Sequence, residues 1–119
     1  MLIESTLAVM AVSDFAEAKR FYSRLFERGP DQEPMPGLAQ WHDTGGGVQV
    51  LDAPDNSGWS MVTFLVTDFD DFLKQLDTKG IKHGEIIDGV LSRLTQSHDP
   101  ADNVITFAEA SPSQESGQR

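Results

Sequence analysis

The chain contains no cysteine, so disulfides, thiolate metal centres and thiol nucleophiles are all excluded. That composition fits a reducing compartment, and the cytoplasm is the expected location. Basic side chains are also scarce, nine Lys and Arg against 19 Asp and Glu, which gives a formal net charge of −10. A field of that sign repels nucleic acid and anionic lipid and attracts cations, while acids scattered along a chain also serve solubility. No apolar run approaches the roughly 20 residues that span a bilayer. The N-terminus has no basic segment leading into an apolar stretch and a small-residue cleavage site. Neither nucleic acid nor membrane is therefore an expected partner.

What the chain does have is an internal duplication. Ala11-Val12-Ser13-Asp14-Phe15 reappears as Leu65-Val66-Thr67-Asp68-Phe69 in the second half. Each copy closes a β-prone run, Leu7 to Val12 and Met61 to Val66, and opens a helical pattern. Asp14 with Glu17, and more weakly Asp68 with Asp71, have the spacing of an N-cap and its reciprocal acid. The first helix places Phe15, Ala18, Phe21, Tyr22, Leu25 and Phe26 on one arc, and the second does so with Phe69, Phe72, Leu73 and Leu76. These faces read as core. Gly29-Pro30 and Gly80 are the expected helix stops.

Short β-like runs follow each helix. In the first half they are Gln32 to Met35, Leu38 to His42 and Val48 to Leu51, with Asp43 to Gly47 as a hairpin turn. In the second they are Lys82 to Ile87, Val90 to Ser97 and Val104 to Glu109, with His98 to Asn103 as the last turn. The predicted architecture is an α+β domain over 1–110, made of two βαβββ modules (about 1–52 and 60–110) with one helix outside each sheet. The polar segment 111–119 is expected to be a disordered tail. Period-two alternation puts Val62, Phe64 and Val66 on the helix side of their strand, leaving Met61, Thr63 and Leu65 facing away. By the same parity Leu7, Val9, Ala11, Gln49 and Thr106 face away from their helices. If the two sheets curl together, these faces line a shared cleft.

Val12-Ser13-Asp14-Phe15, Ala18 and Phe21-Tyr22-Ser23-Arg24-Leu25-Phe26 resemble the opening signature of the vicinal oxygen chelate superfamily. Its members include glyoxalase I, bleomycin-resistance proteins and extradiol dioxygenases. Asp99-Pro100-Ala101-Asp102-Asn103 before Ile105-Thr106-Phe107 resembles the family's closing segment. The resemblance spans about Leu2 to Glu109 and implies paired βαβββ modules forming a curved-sheet cleft, commonly within a homodimer. In metal-using members His and Glu side chains hold a divalent ion there. Carried over singly, those ligand positions fall on Leu7, Gln49, Met61 and Thr106. None carries a charge and two are apolar, so no metal and no cofactor is expected.

His42, His83 and His98 lack metal-like spacing and read as surface or turn residues. No Gly-x-Ser-x-Gly elbow is present, and no catalytic residue is identifiable. Arg93, the only basic residue between Lys82 and Arg119, could hold a carboxylate, though its facing is left open. Bleomycin-resistance members bind a cationic, partly aromatic drug, and here Trp41 and Trp59 offer aromatic surfaces or, equally, core and loop packing. The cleft candidates are Leu7, Trp41, Gln49, Trp59, Met61, Thr63, Arg93 and Thr106. The leading expectation is a metal-independent protein that binds, and sequesters, a cationic or aromatic small molecule. The alternatives are a lyase or isomerase with a displaced metal site or none, and a dimeric scaffold without a catalytic cleft.

Overall fold

A computed structural model describes residues 2–90 and 92–110; the predicted polar tail 111–119 lies outside the described residues. The elements alternate as the duplication requires. Strand β1 (Leu7–Val12), helix α1 (Phe15–Phe26), β2 (Gln32–Met35), β3 (Leu38–His42) and β4 (Gly47–Asp52) form the first set. A 3-10 turn at Pro54–Asn56 leads to β5 (Met61–Val66), α2 (Phe69–Thr78), β6 (Ile87–Asp88), β7 (Arg93–His98) and β8 (Val104–Glu109). Each set gives a four-stranded sheet, ordered β1-β4-β3-β2 and β5-β8-β7-β6. The chain groups into two compact units, residues up to Met61 with Asp99–Val104, and Val62–His98 with the residues from Ile105 on.

In the first unit β1 runs parallel to β4, whereas β3 pairs antiparallel with both β4 and β2. Ala18, Phe21, Tyr22 and Leu25 of α1 are buried, as are Met10, Val12, Ala39, Trp41, Val48 and Val50 of the sheet. Aromatic contacts knit this core, with the Trp41 ring 5.7 Å from Phe26 and 6.2 Å from Tyr22. The N-cap is as expected, Asp14 accepting from Glu17 N–H at 3.1 Å. The stop is not. Glu27, rather than Gly29-Pro30, takes the left-handed cap at φ 61°. Its N–H and that of Arg28 bond back to Arg24 and Ser23 carbonyls, so the helix ends where its apolar arc ends.

A buried polar knot closes this unit. Asp99 accepts from the Tyr22 hydroxyl at 2.8 Å, from Ala101 and Asn103 N–H at 2.9 Å, and from Asn103 Nδ2 at 2.9 Å. Asn103 Nδ2 also donates to Ala11 O, and its Oδ1 accepts from Ser60 N–H, both at 2.8 Å. Ser60 Oγ in turn accepts from Ala11 N–H at 2.9 Å. Both backbone groups of Ala11 on the free edge of β1 are thereby satisfied by side chains, which blunts an edge otherwise open to strand addition. Burial beside a carboxylate pushes the Tyr22 phenol far above its ordinary pKa, burial being the larger cause.

In the second unit Phe69, Leu73 and Leu76 of α2 are buried, and Phe107 of β8 meets Phe72 at 4.8 Å and Phe64 at 6.0 Å. Gly80, at φ +72°, ends α2 as expected, with Ile81 N–H bonded to Leu76 O. The predicted strand over Lys82 to Ile87 shrinks to Ile87–Asp88. Side-chain hydroxyls replace much of the ladder there. Ser97 Oγ donates to Lys82 O at 2.7 Å and Thr95 Oγ1 to Gly84 O at 2.9 Å. The run expected from Val90 begins only at Arg93, because Gly89 N–H closes a turn onto Ser92 O at 2.9 Å; Leu91 lies outside the described residues.

Candidate functional site

Register fixes what the open face of the first sheet presents. Across β1, β4 and β3 three rows stand side by side: Leu7, Gly47 and His42; Val9, Gln49 and Gln40; and Ala11, Leu51 and Leu38. The intervening Val48, Val50, Ala39 and Trp41 are buried on the α1 side. The middle row is polar within an apolar frame. Gln40 Nε2 donates to Gln49 Oε1 at 2.9 Å, and His42 Nε2 stands 3.3 Å from Gln40 Oε1. Val9 beside Gln49 is 44% exposed. Leu7 leans over Gly47, where a Cβ would sit 2.3 Å from Leu7 Cδ2, so glycine leaves room for that side chain.

His42 anchors the edge of this face. Its N–H donates to Asp31 at 2.7 Å and its carbonyl accepts from the Arg28 guanidinium. The His42 N–H, with Arg28 adding, holds the Asp31 carboxyl below its ordinary pKa. A concavity of about 300 Å³ opens here, lined by Glu4, Ser5, Leu7, His42, Asp43 and Gly46. Trp59 and Met61, 84% and 71% exposed, flank the Ser60 that bonds to β1. An exposed indole beside an exposed thioether is costly in water and suits an aromatic partner.

The second sheet repeats the pattern more sparsely. Met61, Thr63 and Leu65 are exposed along β5, alternating with less exposed residues. On the neighbouring strands Gln96 Nε2 donates to the Thr106 hydroxyl at 3.1 Å.

Of the eight cleft candidates, Leu7 and Gln49 share the open face of the first sheet, while Thr63 and Thr106 belong to the second. Trp59 is a surface residue, and Met61 begins β5 next to it. Trp41 and Arg93 belong elsewhere. Trp41 has the buried parity of its strand, is 0% exposed, and spends its indole N–H on Arg28 O at 3.0 Å. Arg93 turns to its own helix, meeting Asp70 at 3.0 Å and Glu109 at 2.9 Å with its guanidinium 4.9 Å from the Phe69 ring. Those carboxylates raise the Arg93 pKa, and the Arg93 contact holds Glu109 below its ordinary value. Sequence reasoning missed Gln40 and His42, although strand parity opposite Trp41 was the signal for both.

The fold rests on its neighbours as well as on its topology. No family model matches the chain, and no curated protein matches it. Among solved structures, a glyoxalase/bleomycin resistance protein from Catenulispora acidiphila superposes with a TM-score of 0.82 at 25% identity, covering 91% of this chain and 99% of that one. The chain has the glyoxalase/bleomycin-resistance fold of the vicinal oxygen chelate superfamily. A bleomycin-binding protein complexed with bleomycin shares that fold at 17% identity, covering 91% of this chain and 98% of that one, with a TM-score of 0.70. The oxidase ChaP-H1 does so at 18% identity, covering 91% and 96%, with a TM-score of 0.65.

The four positions to which the sequence resemblance carries a metal ion can be compared with what such an ion needs. Leu7 offers hydrocarbon and Met61 a soft thioether. The Gln49 oxygen already accepts from Gln40, and the Thr106 hydroxyl from Gln96. A hard divalent ion needs imidazole or carboxylate ligands, and these four residues do not fit one. Among the described residues no group of three or more His, Asp or Glu side chains is placed to hold an ion.

Proposed function

We propose that this protein binds and sequesters a small aromatic, preferably cationic, compound without using a metal ion. The observation that carries the reading is the surface around β1, where exposed Trp59 and Met61 accompany an amide-and-apolar face. The net charge of −10 favours a cation over an anion at long range. Glu4 and Asp43 beside the Leu7–His42 concavity place two of those acids locally. Stacking on Trp59 would add cation–π attraction of about 0.5–2 kcal/mol. The resistance-protein and bleomycin-binding neighbours support small-molecule binding at the level of the fold. The protein acts as a homodimer in the cytoplasm, a reading supported by exposed Leu2, Ile3, Val9 and Leu65 and by the cysteine-free composition.

The test is a titration with 9-aminoacridine, a planar aromatic cation. Binding to the native state raises the melting temperature and quenches the exposed tryptophan, and Trp59→Ala weakens both effects. Absence of both a thermal shift and quenching with this probe would contradict the reading, and light scattering that gives a monomer would contradict the dimer.

A further inference from the structure

The row His42, Gln40, Gln49 is a hydrogen-bond relay with a fixed direction. Gln40 Oε1 has lone pairs and no hydrogen, so in its 3.3 Å contact His42 Nε2 must carry the proton. On its other side Gln40 presents its NH₂ group, which donates to Gln49 Oε1 at 2.9 Å. The relay therefore ends on the two N–H groups of Gln49 Nε2, which have no protein acceptor among the described residues. Val48 and Val50, 1% and 0% exposed, anchor the strand on either side and hold Gln49 on the open face. Val9, its neighbour in the row, supplies an exposed apolar surface.

A donor pair at the end of a polarised amide chain, set against hydrocarbon, selects a ligand by its oxygen. The geometry points to Gln49 as the specificity residue for the sequestered aromatic compound, its two N–H groups receiving a neutral carbonyl oxygen carried on the aromatic body. This rests on the aromatic-binding reading above and adds the ligand's functional group to it. His42 and Gln40 are positioning residues, because they act on the ligand's oxygen through Gln49.

The experiment compares three matched probes by ligand-observed NMR titration: indane, 1-indanone and 1-aminoindane. A single additional hydrogen bond predicts that 1-indanone binds about five-fold more tightly than indane. Gln49→Leu should erase that preference, so that 1-indanone binds no more tightly than indane. Gln49→Glu, isosteric and still able to accept from Gln40, replaces the donors with a carboxylate oxygen and should turn the preference to 1-aminoindane, which guards against a misfolded leucine variant. Equal binding of indane and 1-indanone overturns the relay alone. Failure of all three to bind overturns the aromatic-binding reading and the relay with it. Retention of the ketone preference in Gln49→Glu also overturns the relay.

Discussion

Replacing Tyr22 with phenylalanine removes one hydroxyl from the buried knot and changes almost nothing else. The Tyr22 hydroxyl donates to Asp99 Oδ2 at 2.8 Å, with Tyr22 0% and Asp99 4% exposed, so water cannot take over the bond. Asp99 keeps three other donors, from Ala101 N–H, Asn103 N–H and Asn103 Nδ2, and is not stranded. The expected loss is therefore that of one hydrogen bond to a carboxylate, about 1.5–3 kcal/mol, rather than the larger cost of an orphaned buried charge. Asn103→Ala should cost more than Tyr22→Phe, because it frees Ala11 O and Ser60 N–H together and leaves a cavity. Urea unfolding of both variants, read by far-UV circular dichroism at neutral pH, measures the difference. A Tyr22→Phe loss below about 0.5 kcal/mol, or an Asn103→Ala loss no larger than that of Tyr22→Phe, would refute the knot as a source of stability.

The remaining predictions concern pH and backbone. Tyr22 is the only tyrosine, so absorbance of the phenolate reports it alone. Its folded pKa is raised above the ordinary 10.0, so stability is intact below pH 10 and falls as pH rises beyond it. Phenolate should appear only together with loss of circular dichroism; a reversible titration near pH 10 in the folded protein would contradict this. Glu109 shifts the opposite way, lying below its ordinary 4.5, so its contribution is present above pH 4.5 and lost as pH falls through its folded value. Glu109→Gln should make the acid limb of the stability curve shallower while lowering stability at neutral pH, and an unchanged limb would contradict the Arg93 tie. Gly80→Ala should cost about 1 kcal/mol, since φ +72° is left-handed and no side chain blocks the site; chemical denaturation checks it.

Much of the fold was legible because two periodicities switch at one place in each half. Strands β1, β5 and β8 and helix α1 lie where the alternation and the aromatic arc put them. Elements that depend on partners distant in sequence were less visible. The Lys82 to Ile86 segment reads as β-prone, yet the Ser97 and Thr95 hydroxyls take the carbonyls a ladder would need. Glu27 as a left-handed cap contradicts local preference and follows from where the apolar face runs out. The closing Asp99 to Asn103 motif is plain in the sequence, but its bonds to Tyr22 and Ala11 are tertiary.

The site was half legible for the same reason. Parity placed Leu7, Gln49 and Thr63 on open faces, and applied one strand further it also places Gln40 and His42 opposite Trp41. For Arg93 the sequence left both faces open, and Asp70 on α2 decides between them. The relay's direction depends on atoms meeting across three side chains, which no spacing rule encodes.

The most direct test of the account is a 9-aminoacridine titration of the protein before and after exhaustive chelation, with metal content measured in both samples. The account predicts one affinity in the two samples and no metal near stoichiometry. Binding that disappears on chelation and returns with one equivalent of zinc, nickel, manganese or iron would contradict it.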